Sequence, residues 1–255
     1  MFPILLRIGS FHIYSYGVML FISFLIGTKV VEMRAKRFGV SGENVTNLAL
    51  LTLIMVVVGA RLLYVIFHWS EFANDLIGII AFWRGGLGGL MFFGGLIFAM
   101  VAGIIFVRKE KMPMLKMLDA IAPAIVLGEG LTRIGCFLNG CCFGKPTISF
   151  LGVIFQRYSA AGSTFSCAIH PTQLYSSLTG FALFGLALIL ERKHLKEGVL
   201  FGIIMIFYSL FRFGIDFIRY YENASNFWVN QIIALGFFIL AVIFTITLLK
   251  KKDSA

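Results

Sequence analysis

The sequence predicts an all-α, polytopic membrane protein with about seven transmembrane helices, and three observations carry that prediction. Of its 255 residues, 59% are hydrophobic and 13% charged, whereas a soluble domain carries about 25% charged residues. The apolar residues gather into runs close to the roughly 20 that a helix needs to cross a bilayer. The short stretches between these runs hold most of the lysine and arginine. The formal net charge of +10 therefore follows the positive-inside rule and does not point to a nucleic-acid partner.

Taken in order, the first expected span covers 14–31 and leads to a basic loop with Arg34, Lys36 and Arg37. The twenty residues MFPILLRIGSFHIYSYGVML lack both a basic cluster ahead of the apolar run and an Ala-x-Ala site, so they read as retained. The second span, 45–67, contains Arg61, and the loop 68–86 after it is poor in basic residues, with an apolar middle at 76–82 that suits the interface. The third, 87–107, carries the run GGLGGLMFFGG and closes on Arg108, Lys109 and Lys111.

The fourth span, 117–137, is weak because it holds Asp119, Pro123, Glu129 and Arg133. It reads as a span whose exit end faces a polar cavity, where irregular backbone is tolerated. Residues 143–170 lean hydrophilic and read as a small periplasmic insertion in a single transmembrane domain of residues 1–255. The fifth span, 174–190, stops at Glu191, Arg192 and Lys193; the sixth, 199–218, carries Arg212 and Asp216; the seventh, 228–249, ends in Lys250, Lys251 and Lys252. The basic loops place the N-terminus outside and the C-terminus in the cytoplasm.

The stretch GLTRIGCFLNGCCFG at 130–144 organises the candidate chemistry. An arginine at membrane depth costs about 2.5–3.5 kcal/mol on insertion scales, so such residues face a cavity or a partner. Arg61, Arg133 and Arg212 lie on different spans, and their guanidinium forks suit an anionic, phosphate-bearing ligand. The bland reading is that each pairs with a buried acid, and Arg212 with Asp216, four residues on, is a ready-made pair. Tyr208 lies one turn before Arg212 on the same helical face; as a core tyrosine it would bond only to a neighbouring helix.

Tyr14 and Tyr16 suit either an interfacial belt or a site at the end of the first span. His170, like His12, reads first as a hydrogen bonder where the chain joins a span; the proline after His170 holds it extended. Gly94 and Gly95 belong to a run of glycines that fits close helix packing or a backbone opened towards a ligand. Cys141 and Cys142 fit no zinc spacing and no Cys-x-x-Cys motif. They pair with Cys167 or fill space as small hydrophobes.

Six ordered blocks nevertheless resemble the bacterial prolipoprotein diacylglyceryl transferases: YSYG, GARL, GGLMFFGGL, TRIGCFLNGCCFGKP, HPTQLY and YSLFRFGIDFIR. The resemblance implies a multi-pass protein of the bacterial cytoplasmic (inner) membrane whose active site faces the periplasm. It implies transfer of a diacylglyceryl group from phosphatidylglycerol to the lipobox cysteine of a prolipoprotein. A thioether forms and glycerol-1-phosphate leaves; no cofactor and no metal is implied. The partners are the lipid, the prolipoprotein and the bilayer, with no nucleic acid.

By motif, Arg133 and Arg212 match the family's two essential arginines, while Tyr16, Asn139, Gly144 and Tyr208 match further positions that shape the site. Arg61, Gly94, Gly95 and His170 complete the expected substrate-binding set. The sequence departs from the family where a histidine usually stands, at Phe93, where an asparagine usually stands, at Cys136, and where a glutamate–aromatic pair usually stands, at Cys141 and Cys142. A paralogue acting on another acceptor or lipid, and a non-catalytic lipid-binding or transport protein, are the competing readings.

Overall fold

A computed structural model describes residues 2–8, 11–73, 76–80 and 90–251. Arg84, Gly85, Gly86, Gly88, Gly89 and Lys252 lie outside the described residues. The elements are β1 (Ile4–Ile8), β2 (Phe11–Tyr14), α1 (Ser15–Ala35), α2 (Gly42–Phe67), α3 (Trp69–Phe72), α4 (Leu76–Ile80), α5 (Phe92–Lys109), α6 (Met114–Asn139), α7 (Ala160–Thr164), α8 (Thr172–Glu191), α9 (Val199–Ile218) and α10 (Ala224–Lys250). Among the described residues, α2, α6, α8, α9, α10 and the stretch Ser15–Phe38 are each long and apolar enough to cross a membrane. The expected third span is represented by α5, 18 residues long and opening at Phe92.

A two-stranded antiparallel ribbon, β1 with β2, precedes α1. The all-α expectation did not include it, because its alternation of side chains lasts only four or five residues before merging with an apolar run. Ser15 ties the ribbon to the helix by donating its backbone N–H to Pro3 O at 2.9 Å.

The chain divides into two compact units, residues 1–31 with 118–255, and residues 32–117. In the second unit α2 packs along α5. A Cβ on Gly94 would stand 2.2 Å from Gly59 O and 2.6 Å from Leu63 Cβ, so these backbones touch. Of the two readings of Gly94 and Gly95, close helix packing is the one that the contacts support. Gly94→Ala should therefore lower stability in detergent by about 1–3 kcal/mol. Gly103→Ala, where a Cβ would meet nothing nearer than Thr52 Cγ2 at 3.6 Å, should leave thermal unfolding unchanged.

In the first unit, Ala122 and Val126 of α6, Leu183 and Ala187 of α8, and Leu200 and Ile204 of α9 form a buried core, with Tyr208 against it. Asp119 of α6 caps α9 from outside that helix. Its carboxylate accepts from Gly198 N at 2.6 Å and Phe201 N at 2.8 Å, satisfying donors that a helix start leaves without partners. This explains an acid inside an apolar span. The expected fourth span is unbroken: α6 runs from Met114 to Asn139 with Pro123 inside it. After Gly140, residues up to 171 form a small structure around buried Phe155, Ala161 and Ile169. The amide of Gln173 and the hydroxyl of Thr172 at the start of α8 donate to Cys141 O at 2.7 Å and Cys142 O at 2.8 Å. The block HPTQLY thus serves to hold the motif loop.

Candidate active site

Two arginine–carboxylate pairs define the site, both one helical turn apart. On α9, Arg212 Nη1 contacts Asp216 Oδ1 at 2.9 Å, and Asp216 is fully buried (0% exposed). On α6, Arg133 Nε donates to Glu129 Oε1 at 2.7 Å. A buried carboxylate costs several kcal/mol unless it is paired, so each acid both requires and fixes its arginine. Tyr221, just beyond α9, donates its hydroxyl to Asp216 Oδ1 at 2.7 Å. Burial first, and then that hydrogen bond, hold its hydroxyl above the usual range, so it stays a donor. Arg212 Nη2 reaches Tyr221 Oη at 3.4 Å and Asn230 Oδ1 of α10 at 3.5 Å.

Between the pairs lies Tyr208, whose hydroxyl is within electrostatic reach of Glu129, Arg133, Arg212 and Asp216. A recess opens here, lined by Glu129, Ser176, Thr179, Gly180, Tyr208 and Arg212 among others. Both Nη groups of Arg133 have no protein acceptor among the described residues, because only Nε is bonded to Glu129. Arg212 thus offers a fixed cationic donor at the recess, and Arg133, tied to Glu129 in its lining, offers a second beside it; guanidinium donors of this kind suit a phosphate. Sequence reasoning registered the Arg212–Asp216 spacing. Glu129 stands at the same four-residue offset from Arg133, a signal that the low hydropathy of the span masks. Tyr221 and Asn230 left no signal, because they meet Arg212 only through the packing of α9 on α10.

Three thiols gather at the exit of α6. The Sγ atoms of Cys136, Cys141 and Cys142 all lie within 4.8 Å of one another. Gly140 and Cys142 have left-handed backbones, at φ +72° and +59°, and these two turns fold the chain back on the helix end. A left-handed conformation is disfavoured for a residue with a side chain, and such residues concentrate at functional sites. Cys142 lies outside the spans. Hydrogen bonds from the Cys136 and Cys141 thiols, and then the charges of Arg219 and Arg133, hold its thiol well below the ordinary range. All four cysteines are free, and Cys167 is exposed, so the stapling disulfide is not formed.

The other expected site residues distribute as follows. Tyr16, in the first turn of α1, is half-buried and within electrostatic reach of Arg133 and all three clustered thiols. Asn139 ends α6, with its side chain within reach of the Cys141 thiol. Gly144 bridges to Arg219, and a Cβ there would stand 2.6 Å from His170 Cβ. His170 places Nδ1 3.3 Å from Tyr175 Oη, the helix-start hydrogen bond that its bland reading expects. Gly144 and His170 thus shape the backbone at the motif loop. Arg61, Gly94 and Gly95 belong to the second unit. There Arg61 donates to Ile79 O at 3.0 Å and Gly78 O at 2.7 Å, with its guanidinium over the Phe72 ring. Phe93 lies on α5, 43% exposed.

Comparison with known proteins adds an independent line. A family model described as prolipoprotein diacylglyceryl transferase matches residues 3–247. A phosphatidylglycerol–prolipoprotein diacylglyceryl transferase of Clostridium tetani is 31% identical over 253 residues, 98% of this chain and 99% of its own length. One from Bacillus anthracis is 31% identical over 94% of this chain and 89% of its own. A second-numbered protein of the same name from Clostridium perfringens is 32% identical over 84% of this chain.

Proposed function

This chain belongs to the prolipoprotein diacylglyceryl transferase family, and from that premise we propose how its own residues carry out the transfer. The protein is a multi-pass membrane enzyme that moves a diacylglyceryl group from phosphatidylglycerol to the lipobox cysteine of a prolipoprotein. The basic loops argue that the motif end of α6 faces the periplasm.

The observation that carries the mechanism is the pair of acid-anchored arginines around Tyr208. The lipid phosphate seats against the free Nη edge of Arg133 and against the Arg212 guanidinium, with its acyl chains towards the bilayer. The lipobox sulfur attacks the glycerol carbon of the diacylglyceryl group. The carbon–oxygen bond to phosphate breaks, and glycerol phosphate leaves with the oxygen, its electron pair and, in net, the proton that the thiol gives up. Negative charge grows on that phosphate as the bond breaks, so donors already fixed in place favour the transition state over the bound lipid. Tyr208 donates to the same oxygens. Tyr16 and Asn139 position the acceptor side, next to the thiols.

Mass spectrometry of a lipobox peptide after incubation with purified protein and phosphatidylglycerol tests this reading. The peptide should gain one diacylglyceryl group on its cysteine, and its cysteine-to-serine counterpart should gain none. A peptide that stays unmodified while the protein binds phosphatidylglycerol would instead favour a lipid-binding protein that has kept the clamp.

A further inference from the structure

We propose that Cys136, Cys141 and Cys142 hold one zinc ion through three thiolates and leave its fourth position to the sulfur of the incoming lipobox cysteine. The proposal rests on the transferase reading above, because it names what activates the acceptor thiol.

The geometry is close to a zinc site already. Zinc–sulfur bonds of about 2.3 Å in a tetrahedron place the sulfurs roughly 3.8 Å apart. The three Sγ atoms lie within 4.8 Å of one another, so side-chain rotations that move each by about 1 Å or less complete the set. The spacing, four residues and then none, matches no zinc pattern in a sequence. It works here because the two left-handed turns at Gly140 and Cys142 fold the loop back onto the last turn of α6. The loop is also held in place without metal, since Thr172 and Gln173, each 1% exposed, bind the carbonyls of Cys142 and Cys141.

The set is three protein ligands, with Cys136 buried and Cys141 and Cys142 half-buried. A structural zinc site closes all four positions, whereas a catalytic one keeps a position open. Three thiolates around a divalent cation carry one net negative charge, and Arg133 and Arg219, both within electrostatic reach of Cys142, offset it. A fourth sulfur that binds the metal does so as a thiolate, because coordination displaces the thiol proton. That supplies a nucleophile in a chain whose Phe93 accepts no proton.

The step balances. The lipobox S–H loses its proton on coordination, and the zinc-bound sulfur then forms the S–C bond as the C–O bond to phosphate breaks. Glycerol phosphate departs with the electron pair and takes up a proton equivalent to the one released. The product thioether is neutral and a weaker ligand than a thiolate, so the peptide leaves the metal.

Metal content and cobalt spectroscopy of the purified full-length protein test this. About one zinc per chain should remain through purification. It should be lost from Cys142→Ser and from Cys141→Ser, and kept in Cys167→Ser. With cobalt in place of zinc, the thiolate-to-metal absorption should rise by about one third when a lipobox cysteine peptide adds a fourth sulfur to three. A lipobox serine peptide should leave it unchanged.

Zinc no higher in the wild type than in Cys142→Ser would overturn the site, and a cobalt spectrum blind to the cysteine peptide would overturn the open position. Chelated, metal-free protein that still transfers diacylglycerol at full rate would sink the zinc proposal and leave the transferase standing. A cobalt spectrum that answers the cysteine peptide, with no transfer to it, would keep the site and sink the transferase.

Discussion

Replacing Arg133 or Arg212 by lysine should lower kcat/KM for glycerol phosphate release by about 10²–10³-fold, the cost of removing one preorganised donor to a developing oxyanion. The net charge is preserved, so a purely electrostatic field would survive the change. What disappears is the planar fork. Arg212 engages Asp216 through Nη1 and turns Nη2 towards Tyr221 and Asn230. Arg133 spends Nε on Glu129 and keeps both Nη groups for a ligand. A lysine has one nitrogen and cannot satisfy its acid and the phosphate with the same fixed geometry. Both variants should still insert, because each acid retains a cation one helical turn away. A lysine variant with near-wild-type release would show that charge alone suffices and that the fork geometry is irrelevant.

The second large effect concerns Asp216, which is fully buried, with Oδ2 lacking any hydrogen-bond partner. Arg212→Ala removes the cation from beside it and strands a buried carboxylate, which should cost about 3–5 kcal/mol of stability. Asp216→Asn has the opposite profile. It should cost less stability, because Arg212 keeps 19% of its side chain exposed where Asp216 keeps none, but the guanidinium loses its anchor, and a shift of about 1 Å in a reacting group costs about 10²-fold in rate. The double replacement Arg212→Leu with Asp216→Leu separates the two roles. It removes charge from both partners, so thermal stability should return towards wild type while release stays lost. Recovery of release together with stability would mean that the pair is structural only.

These outcomes turn on features that differ in how far they could be read from sequence. The span pattern was legible because the bilayer demands long apolar runs and basic loops, and both are local signals. Arg212 with Asp216 was legible for the same reason, since a four-residue offset on a helix is local. The anchoring of Arg133 by Glu129 had the same offset, but it was masked by the low hydropathy of α6, which suggested a broken span where the helix is continuous. The N-terminal ribbon was hidden by its brevity. Gly94 and Gly95 read equally well as packing or as an opened backbone, and the contacts of Gly94 with Gly59 and of Gly95 with Val56 on α2 that show the packing are tertiary ones. Tyr221 on Asp216, Asn230 beside Arg212 and Gln173 on Cys141 are tertiary contacts whose partners lie on different elements, so no periodicity announces them. The three thiols belong to the same class. Their spacing argues against a metal set, and the two left-handed residues that gather them have no sequence signature beyond a glycine followed by two cysteines.

The most direct test of the arginine clamp pairs two readouts on one set of proteins: phosphatidylglycerol binding, and glycerol phosphate release on adding a lipobox peptide. Wild type should bind and release. Arg133→Lys, whose fold the paired Glu129 should preserve, should still bind lipid within about tenfold but lose about 10²–10³-fold in release, because the missing donors act on charge that develops only as the phosphate departs. Equal losses in binding and release would contradict that claim, since they would show that Arg133 holds the lipid without favouring its cleavage.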